Sequence, residues 1–167
     1  TSDYEEGDNI ELNNDGAVGN SANVTFAPTS TLWKMQGGQA GNVAVTQIAY
    51  CFHSVEGYSK CSSYIGNGNV DGAFVFTGFR PAFIIMKCAS NGSTNWFIID
   101  NKRDTDNEVR NDLKPNTAAV ETANTNFLDF LSNGFKLRTT GAAVNGDGRI
   151  ILYVAFAEAP FKYANAR

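Results

Sequence analysis

Short stretches of Ile, Val, Phe and Tyr, separated by clusters of Gly, Asn, Ser and Asp, dominate the pattern of this chain. Such stretches, with turn residues between them, are typical of strands in a β-sandwich or barrel. Six strands are predicted in this way, at residues 43–52, 73–77, 82–87, 96–100, 134–138 and 149–156. The stretches 82–87 and 149–156 are apolar almost throughout, which predicts central strands covered on both faces. We therefore expect an all-β fold, an antiparallel β-sandwich of jelly-roll-like type with at most one or two short helices.

Three segments have less regular patterns. Asp104 or Asp106 could cap a helix of about two turns that has apolar residues four apart and that ends at Pro115. Residues 126–131 are compatible with either a short strand or a helical turn. Residues 145–148 (Asn-Gly-Asp-Gly) lie between two predicted strands and predict a hairpin loop, because Asn and Gly tolerate positive φ.

A weak internal repeat indicates a tandem organisation. An aromatic-Lys-apolar strand, a polar loop, a hydrophobic strand and an acidic-aromatic-Lys exit occur in residues 32–60 and again in residues 134–162. Self-similarity of this kind is typical of repeated structural units. We interpret residues 1–60 as the C-terminal half of a preceding β unit, or as N-terminal strands packed on the main domain. Residues 61–167 are predicted to form a complete β-sandwich module at the C-terminal end of a longer array.

Composition and charge narrow the classes of function. The 167 residues are 43% hydrophobic, which is enough material for a packed core and excludes global disorder. Thirteen basic against seventeen acidic residues give a net charge of −4, and such a surface repels a phosphate backbone, so no nucleic-acid partner is expected. The longest apolar run covers residues 150–157, whereas a membrane-spanning helix needs about twenty residues. No membrane insertion is therefore expected.

The nucleophile and base candidates are few. His53 is the only histidine, and strand alternation would place it on the same face as Cys51. No nucleophile-elbow signature surrounds Cys51, so we favour a surface or rim histidine and predict no catalytic residue. Cys51 and Cys88 adjoin apolar runs and are interpreted as core thiols, with a Cys51–Cys61 bridge as the alternative.

The carboxylates and polar loops give no strong signature either. Asp104 and Asp106 lie in the densest acidic stretch and are the only metal candidates, since alternating oxygen ligands can hold calcium. The stretch lacks a glycine for the sharp turn and contains interleaved Lys and Arg, so we favour a solvated loop with local ion pairs. Asn67 and Asn69 flank Gly68 in a predicted turn rather than a phosphate-binding loop. The sequence predicts no cofactor and assigns no binding residue.

Several motifs resemble a module found in proteins of tailed bacteriophages. These motifs are YIGNGN at 64–69, GFRPAF at 78–83, FLSNGFKLR at 130–138 and AFAEAPFKYANAR at 155–167. The resemblance covers residues 48–167 well and the earlier part loosely. Proteins with this module are usually long, contain tandem copies of it and are tail fibre-like or virion structural proteins. No catalytic residue is assigned to the module.

The resemblance implies a non-enzymatic virion structural protein on the tail or the capsid surface. We expect a tail-fibre or adhesin domain that serves host-surface attachment or fibre assembly. The expected partners are other virion proteins, further copies of the chain, and a host cell-surface glycan or protein. By analogy with other fibres, the copies of the chain would form a trimer. The alternatives are a capsid decoration or cement protein that binds the coat protein, and an envelope polysaccharide depolymerase.

Overall fold

The computed structural model describes residues 8–20 and 50–159. The elements in these residues are β1 (Asp8–Asn9), β2 (Gly19–Asn20), β3 (Ser59–Ile65), β4 (Phe74–Phe76), β5 (Pro81–Cys88), β6 (Trp96–Asp100), β7 (Val109–Asp112), β8 (Thr122–Leu131), β9 (Gly134–Leu137), α1 (Ala142–Asn145) and β10 (Ile150–Ala157).

Strands β3 to β10 form two four-stranded antiparallel sheets that enclose one core. The first sheet has the order β3-β10-β5-β6, and the second has the order β4-β9-β8-β7. The last strand, β10, lies between β3 and β5 and pairs with both, although β6 and three strands of the second sheet intervene between β5 and β10 in the sequence. This long connection back to the first sheet is the jelly-roll-like feature of the topology. The prediction of an all-β, antiparallel sandwich with at most one or two short helices is confirmed.

The core forms because side chains alternate between the two faces of each strand. In β10, Ile151, Tyr153 and Ala155 face the second sheet and are buried. Phe156 lies on the other face of the same strand, is half-buried and contacts the ring of Phe83. The same alternation in the other strands contributes Ile84, Met86, Ile99, Leu128, Phe130, Phe135 and Leu137 to the core.

Five of the six predicted strands are present, to within one residue at each end. The two most apolar stretches are β5 and β10, and both are interior strands of the first sheet, as predicted. The predicted strand 43–52 lies mainly outside the described residues, and residues 50–52 at its end are not in a strand. Residues 126–131, for which the sequence left strand and helical turn open, lie in β8.

The helix predicted after Asp104 is wrong, because β7 occupies part of this segment. Val109 pairs with Leu128, and Asp112 pairs with Thr122, so the backbone of β7 is bonded to β8. The pairing also buries the Val109 side chain in the core. A tertiary partner therefore overrides a weak local preference for helix.

The hairpin loop predicted at 145–148 is also wrong. The flanking strands β9 and β10 lie in different sheets, so the chain between them must cross the sandwich. The crossing contains the single helical turn α1, followed by a turn in which Gly148 has a φ of 67°. The positive φ agrees with the turn chemistry of the sequence, but the connection joins two sheets.

Residues 8–20 pack on the first sheet, where the Val18 amide donates a hydrogen bond to the Ala89 carbonyl at 3.0 Å. The first copy of the proposed repeat, residues 32–60, lies mainly outside the described residues. The division into residues 1–60 and 61–167 therefore stays a prediction.

Candidate functional site

The sandwich is closed along one side and open along the other. On the closed side, Ile98 and Leu113 exchange backbone hydrogen bonds of 2.9 and 3.0 Å, which join β6 to β7 and thus one sheet to the other. On the opposite side, β3 and β4 end the two sheets, and among the described strands neither has a second neighbour. We call this side the open edge.

Exposed apolar side chains concentrate at the open edge. Of the nine large hydrophobic side chains exposed in residues 8–20 and 50–159, seven lie between residues 50 and 76. Four of the seven follow one another from the end of β3, through the connecting loop, to β4. We define the open-edge patch as Ile65, Val70, Phe74 and Phe76. Clustering of this kind marks an interaction surface more often than scattered single exposures do.

Strand β4 presents backbone groups at the open edge that have no partner among the described residues. The Leu137 amide donates to the Ala73 carbonyl at 3.1 Å, and the Thr77 amide donates to the Asn133 carbonyl at 3.0 Å. Hydrogen-bonded pairs alternate with non-bonded pairs in an antiparallel ladder. The N–H and C=O groups of Phe74 and Phe76 therefore point away from β9, and no other described residue pairs with them.

Two glycines set the positions of the exposed rings. A Cβ atom on Gly134 would lie 2.1 Å from the Val75 carbonyl oxygen and 3.1 Å from the Phe74 ring, so glycine permits this close approach of β9 to β4. Gly78 follows the strand with a φ of 86°, and a Cβ atom built on it would lie 3.9 Å from the Phe76 ring. Val75, between the two rings, points into the core. The Phe-Val-Phe alternation thus places both aromatic side chains on one outward face.

Charged residues flank the patch on the outer face of the second sheet. Lys136, opposite Phe74 on β9, lies 2.6 Å from the Asp71 carboxylate, and this hydrogen bond and charge lower the pKa of Asp71. Arg138 donates to the buried Asp129 carboxylate at 2.6 Å, which raises the pKa of the guanidinium. A shallow cleft of about 440 Å³ lies between Val70 and Arg138. The patch is therefore apolar, with a paired, charged margin.

A buried asparagine fixes the loop that leads into β4. The Asn145 side chain is fully buried at the end of α1. Its Nδ2 donates to Asn67 Oδ1, Asn69 O and Thr139 O at 2.8 to 3.0 Å, and its Oδ1 accepts the Asn67 amide at 3.1 Å. One side chain therefore joins two segments that are far apart in sequence, residues 67–69 and residues 139–145, and we call this arrangement the Asn145 lock.

The glycines around this loop are required by the close approach of the backbone. A Cβ atom on Gly66 would lie 2.3 Å from the Gly146 carbonyl oxygen, and one on Gly72 would lie 2.5 Å from the Leu137 carbonyl oxygen. The Tyr64 hydroxyl adds a 2.6 Å hydrogen bond to the carbonyl of Val144. The YIGNGN motif thus has a structural explanation: it builds and anchors the loop before β4.

The other edge strand, β3, has side-chain and turn partners for some of its outward backbone groups. The Ser54 hydroxyl donates to the Cys61 carbonyl at 3.2 Å and accepts the Cys61 amide at 3.0 Å, which satisfies outward groups of β3. The turn before the strand adds a reciprocal pair of 2.9 Å bonds between Val55 and Ser59. Such caps blunt an edge against further pairing. Only β4, of the two edge strands, combines free backbone groups with exposed aromatic rings.

The metal candidates serve the loop between β6 and β7. The Asp104 carboxylate accepts the amides of Arg110 and Asn111 at 2.8 and 2.7 Å, and also the Asn111 side chain at 2.8 Å. Asp106 contacts the hydroxyl of Thr105 at 3.4 Å. Within the described ranges, no three His, Cys, Asp or Glu side chains are grouped in a way that could hold a metal ion.

Cys51 and His53 lie in an exposed segment that is not a strand, so the alternation argument for their shared face does not apply. The prediction of a core thiol is therefore wrong for Cys51, whereas Cys88 is buried as predicted, and all three cysteines are free. His53 Nδ1 lies 3.0 Å from the carbonyl oxygen of Ser54. Burial raises the pKa of the half-buried Cys61 thiol.

Lys87 is a buried charge that sequence reasoning missed. Its ammonium donates to Asp15 O, Cys88 O and Thr94 Oγ1 at 3.3, 3.0 and 2.9 Å, and desolvation lowers its pKa. The bond to Asp15 ties residues 8–20 to the first sheet. Lys87 therefore has a clear structural role.

Fold and site together define a β-sandwich module with one closed side and one open, aromatic edge. The model of the DUF7483 family, a domain of unknown function, matches residues 2–160, and the chain belongs to this family. Comparisons with curated proteins and with solved structures find no match. No helix in the described ranges is long and apolar enough to cross a membrane.

Proposed function

We propose that this chain is a non-enzymatic structural module of a tailed-bacteriophage virion, a tail-fibre or adhesin domain that binds through its open edge. The observation that carries the proposal is β4, whose outward backbone groups and exposed Phe74 and Phe76 rings form one surface. Natural sandwiches usually blunt such an edge, as Ser54 does on β3. An edge left open with aromatic rings suits the addition of a strand or a flat partner surface.

The rigidity of the edge supports an attachment role. The Asn145 lock holds the loop before β4, and Gly134 brings β9 close behind the strand. A surface that is already ordered loses little conformational entropy on binding. The resemblance of motifs such as GFRPAF at 78–83 to tail fibre-like proteins supplies the class of particle.

Two carboxylates, those of Asp104 and Asp129, have structural partners. Asp104 accepts three hydrogen bonds within its own loop, and Asp129 is paired with Arg138. These engagements favour a structural role over a depolymerase, which needs two carboxyl groups facing a sugar across a groove. Polysaccharide from the host envelope, incubated with the full chain, should yield no new reducing ends. Release of reducing ends that depends on a carboxylate of this chain would contradict the proposal.

The location on the particle tests the proposal most directly. Antibodies raised against the full chain should label the tail or its fibres in electron micrographs of purified virions. Label on the capsid would instead support the decoration alternative and overturn the tail assignment. Particles that carry no label, while the protein is detected elsewhere in infected cells, would refute a virion role.

A binding assay links the open edge to attachment. The full chain should bind host cells or isolated tail proteins, and the double change Phe74→Ser and Phe76→Ser should weaken that binding at least tenfold. Val120→Ser is the matched control, because Val120 is 85% exposed on the connection between β7 and β8. Equal binding by the double variant and the control would show that the open edge is not the contact surface.

A further inference from the structure

We propose that β4 pairs with β4 of a second copy of this chain, in antiparallel orientation about a two-fold axis at Val75. The inference rests on the proposed function only in treating the chain as an assembly module, and it names the partner of the open edge. It starts from the outward N–H and C=O groups of Phe74 and Phe76, which no described residue engages.

The strand is self-complementary in its backbone. With the axis at Val75, Phe74 lies opposite Phe76 of the second copy, and the two residues form a hydrogen-bonded pair. Symmetry repeats the pair, so every outward group of both strands finds a partner. An axis through Phe74 or Phe76 would leave part of these groups without one. The geometry therefore selects one register.

The side chains are self-complementary as well. The sequence Phe-Val-Phe is symmetric about its centre, so the four rings of two copies meet on one face while both Val75 side chains stay in their cores. Asp71 precedes the strand and Arg80 follows it. Each is already paired within its own chain, Asp71 with Lys136 and Arg80 with Glu158, so the antiparallel orientation follows from the backbone register and from the symmetry of the Phe-Val-Phe sequence.

The area of the contact indicates how strong the pairing is. Phe74 is 48% and Phe76 is 63% exposed. An aromatic side chain offers roughly 200 Å², so the rings of two copies can bury at most on the order of 450 Å². A stable independent dimer usually buries about 1,200 Å² or more. We therefore expect weak, concentration-dependent association, which becomes effective where many copies are held close together on a particle.

Sedimentation velocity of the full chain, from micromolar to low millimolar concentration under reducing conditions, tests the pairing. Reductant is needed because the exposed Cys51 could otherwise cross-link two copies. The weight-average mass should rise from one chain towards two. Phe76→Lys should weaken the association at least tenfold, and Val120→Lys, at an exposed position elsewhere, should leave it unchanged. A chain that stays monomeric throughout, or a trimer, would overturn the proposal.

Hydrogen exchange tests the same pairing in the chain without any substitution, so the result does not depend on whether Phe76→Lys folds correctly. The amide of Val75 is bonded to β9 and should be protected at every concentration. The amides of Phe74 and Phe76 should exchange quickly in dilute solution and become protected as the mass rises. Mass doubling with protection at Ser63 on β3, and none on β4, would place the interface on the other edge and refute the inference. This experiment does not use antibody labelling of virions. The pairing of β4 can therefore be refuted while the proposed function stands, and the reverse is also possible.

Discussion

Removal of the Asn145 side chain should destabilise the whole sandwich, although the residue lies in a four-residue helical turn. Asn145→Ala deletes an amide that engages Asn67, Asn69 and Thr139 and that is fully buried. The two N–H hydrogens and the carbonyl oxygen are worth about 1 kcal/mol each in net hydrogen bonding, and the partners left buried without a bond add to the loss. We expect a loss of about 3–5 kcal/mol in the free energy of unfolding.

Urea unfolding, followed by far-ultraviolet circular dichroism, measures this loss. With a slope of about 1–3 kcal/mol per molar urea, the midpoint should fall by roughly 2 M. Asn133→Ala is the matched control, because Asn133 is exposed and its side chain makes no hydrogen bond to a described residue. The control should stay within about 0.5 kcal/mol of the parent. A loss below about 1 kcal/mol for Asn145→Ala would refute the reasoning about the lock.

Asn145→Asp refines the same test without changing the shape of the side chain. A carboxylate would face the carbonyl oxygens of Asn69 and Thr139, whereas a protonated carboxyl group can still donate one hydrogen bond. The folded-state pKa of the new carboxyl should therefore lie above the unfolded value of about 3.9. The stability of this variant should be greatest below that pH and fall as the pH rises through the folded pKa.

Further predictions concern the packing of the core, the loss of stability at alkaline pH and the reactivity of the thiols. Leu128→Ala, at a fully buried position, should cost about 2–5 kcal/mol in thermal or urea unfolding, and a cost near zero would contradict the placement of β8. Burial raises the pKa of Tyr153 to about 12 from its ordinary value of 10.0, so its contribution to stability should be complete below pH 10 and be lost as the pH rises towards 12. Tyr153→Phe should show a smaller alkaline loss, and an unchanged profile would contradict the burial effect. Towards a thiol reagent the order of reaction should be Cys51, then Cys61, then Cys88, with rapid reaction of Cys88 in the folded chain as the contrary result.

Local chemistry explains why most strands could be predicted from the sequence. In β5 and β10 the apolar side chains are contiguous: alternate residues such as Ile84 and Ile151 are buried in the core, and most of the residues between them are half-buried. Turn residues such as Gly148 mark where the chain changes direction, since they tolerate positive φ. These features belong to the chain itself and do not depend on which strand becomes the neighbour.

Two of the three failures share one cause. The spacing of Val109 and Leu113 fits a helix, but β8 supplies hydrogen bonds and a buried site for Val109, and these outweigh a weak local preference. Residues 145–148 have the composition of a hairpin, yet the strands on either side belong to different sheets. Cys51 adjoins apolar residues in sequence and is nevertheless exposed. In the first two cases the outcome depends on long-range pairing that a local window does not contain.

The sequence by itself determined the class of this protein: its short apolar strands, tight polar turns and many aromatic residues are typical of an all-β fold. The tertiary structure decided what the surface offers. Phe74 and Phe76 resemble the core aromatics in sequence, but β4 presents both rings on the outer face of the second sheet, and its position at the end of that sheet leaves their backbone groups without a described partner. The physical reason is that an edge is a property of the order of strands, which forms when distant segments pair, whereas alternation is a property of the strand alone.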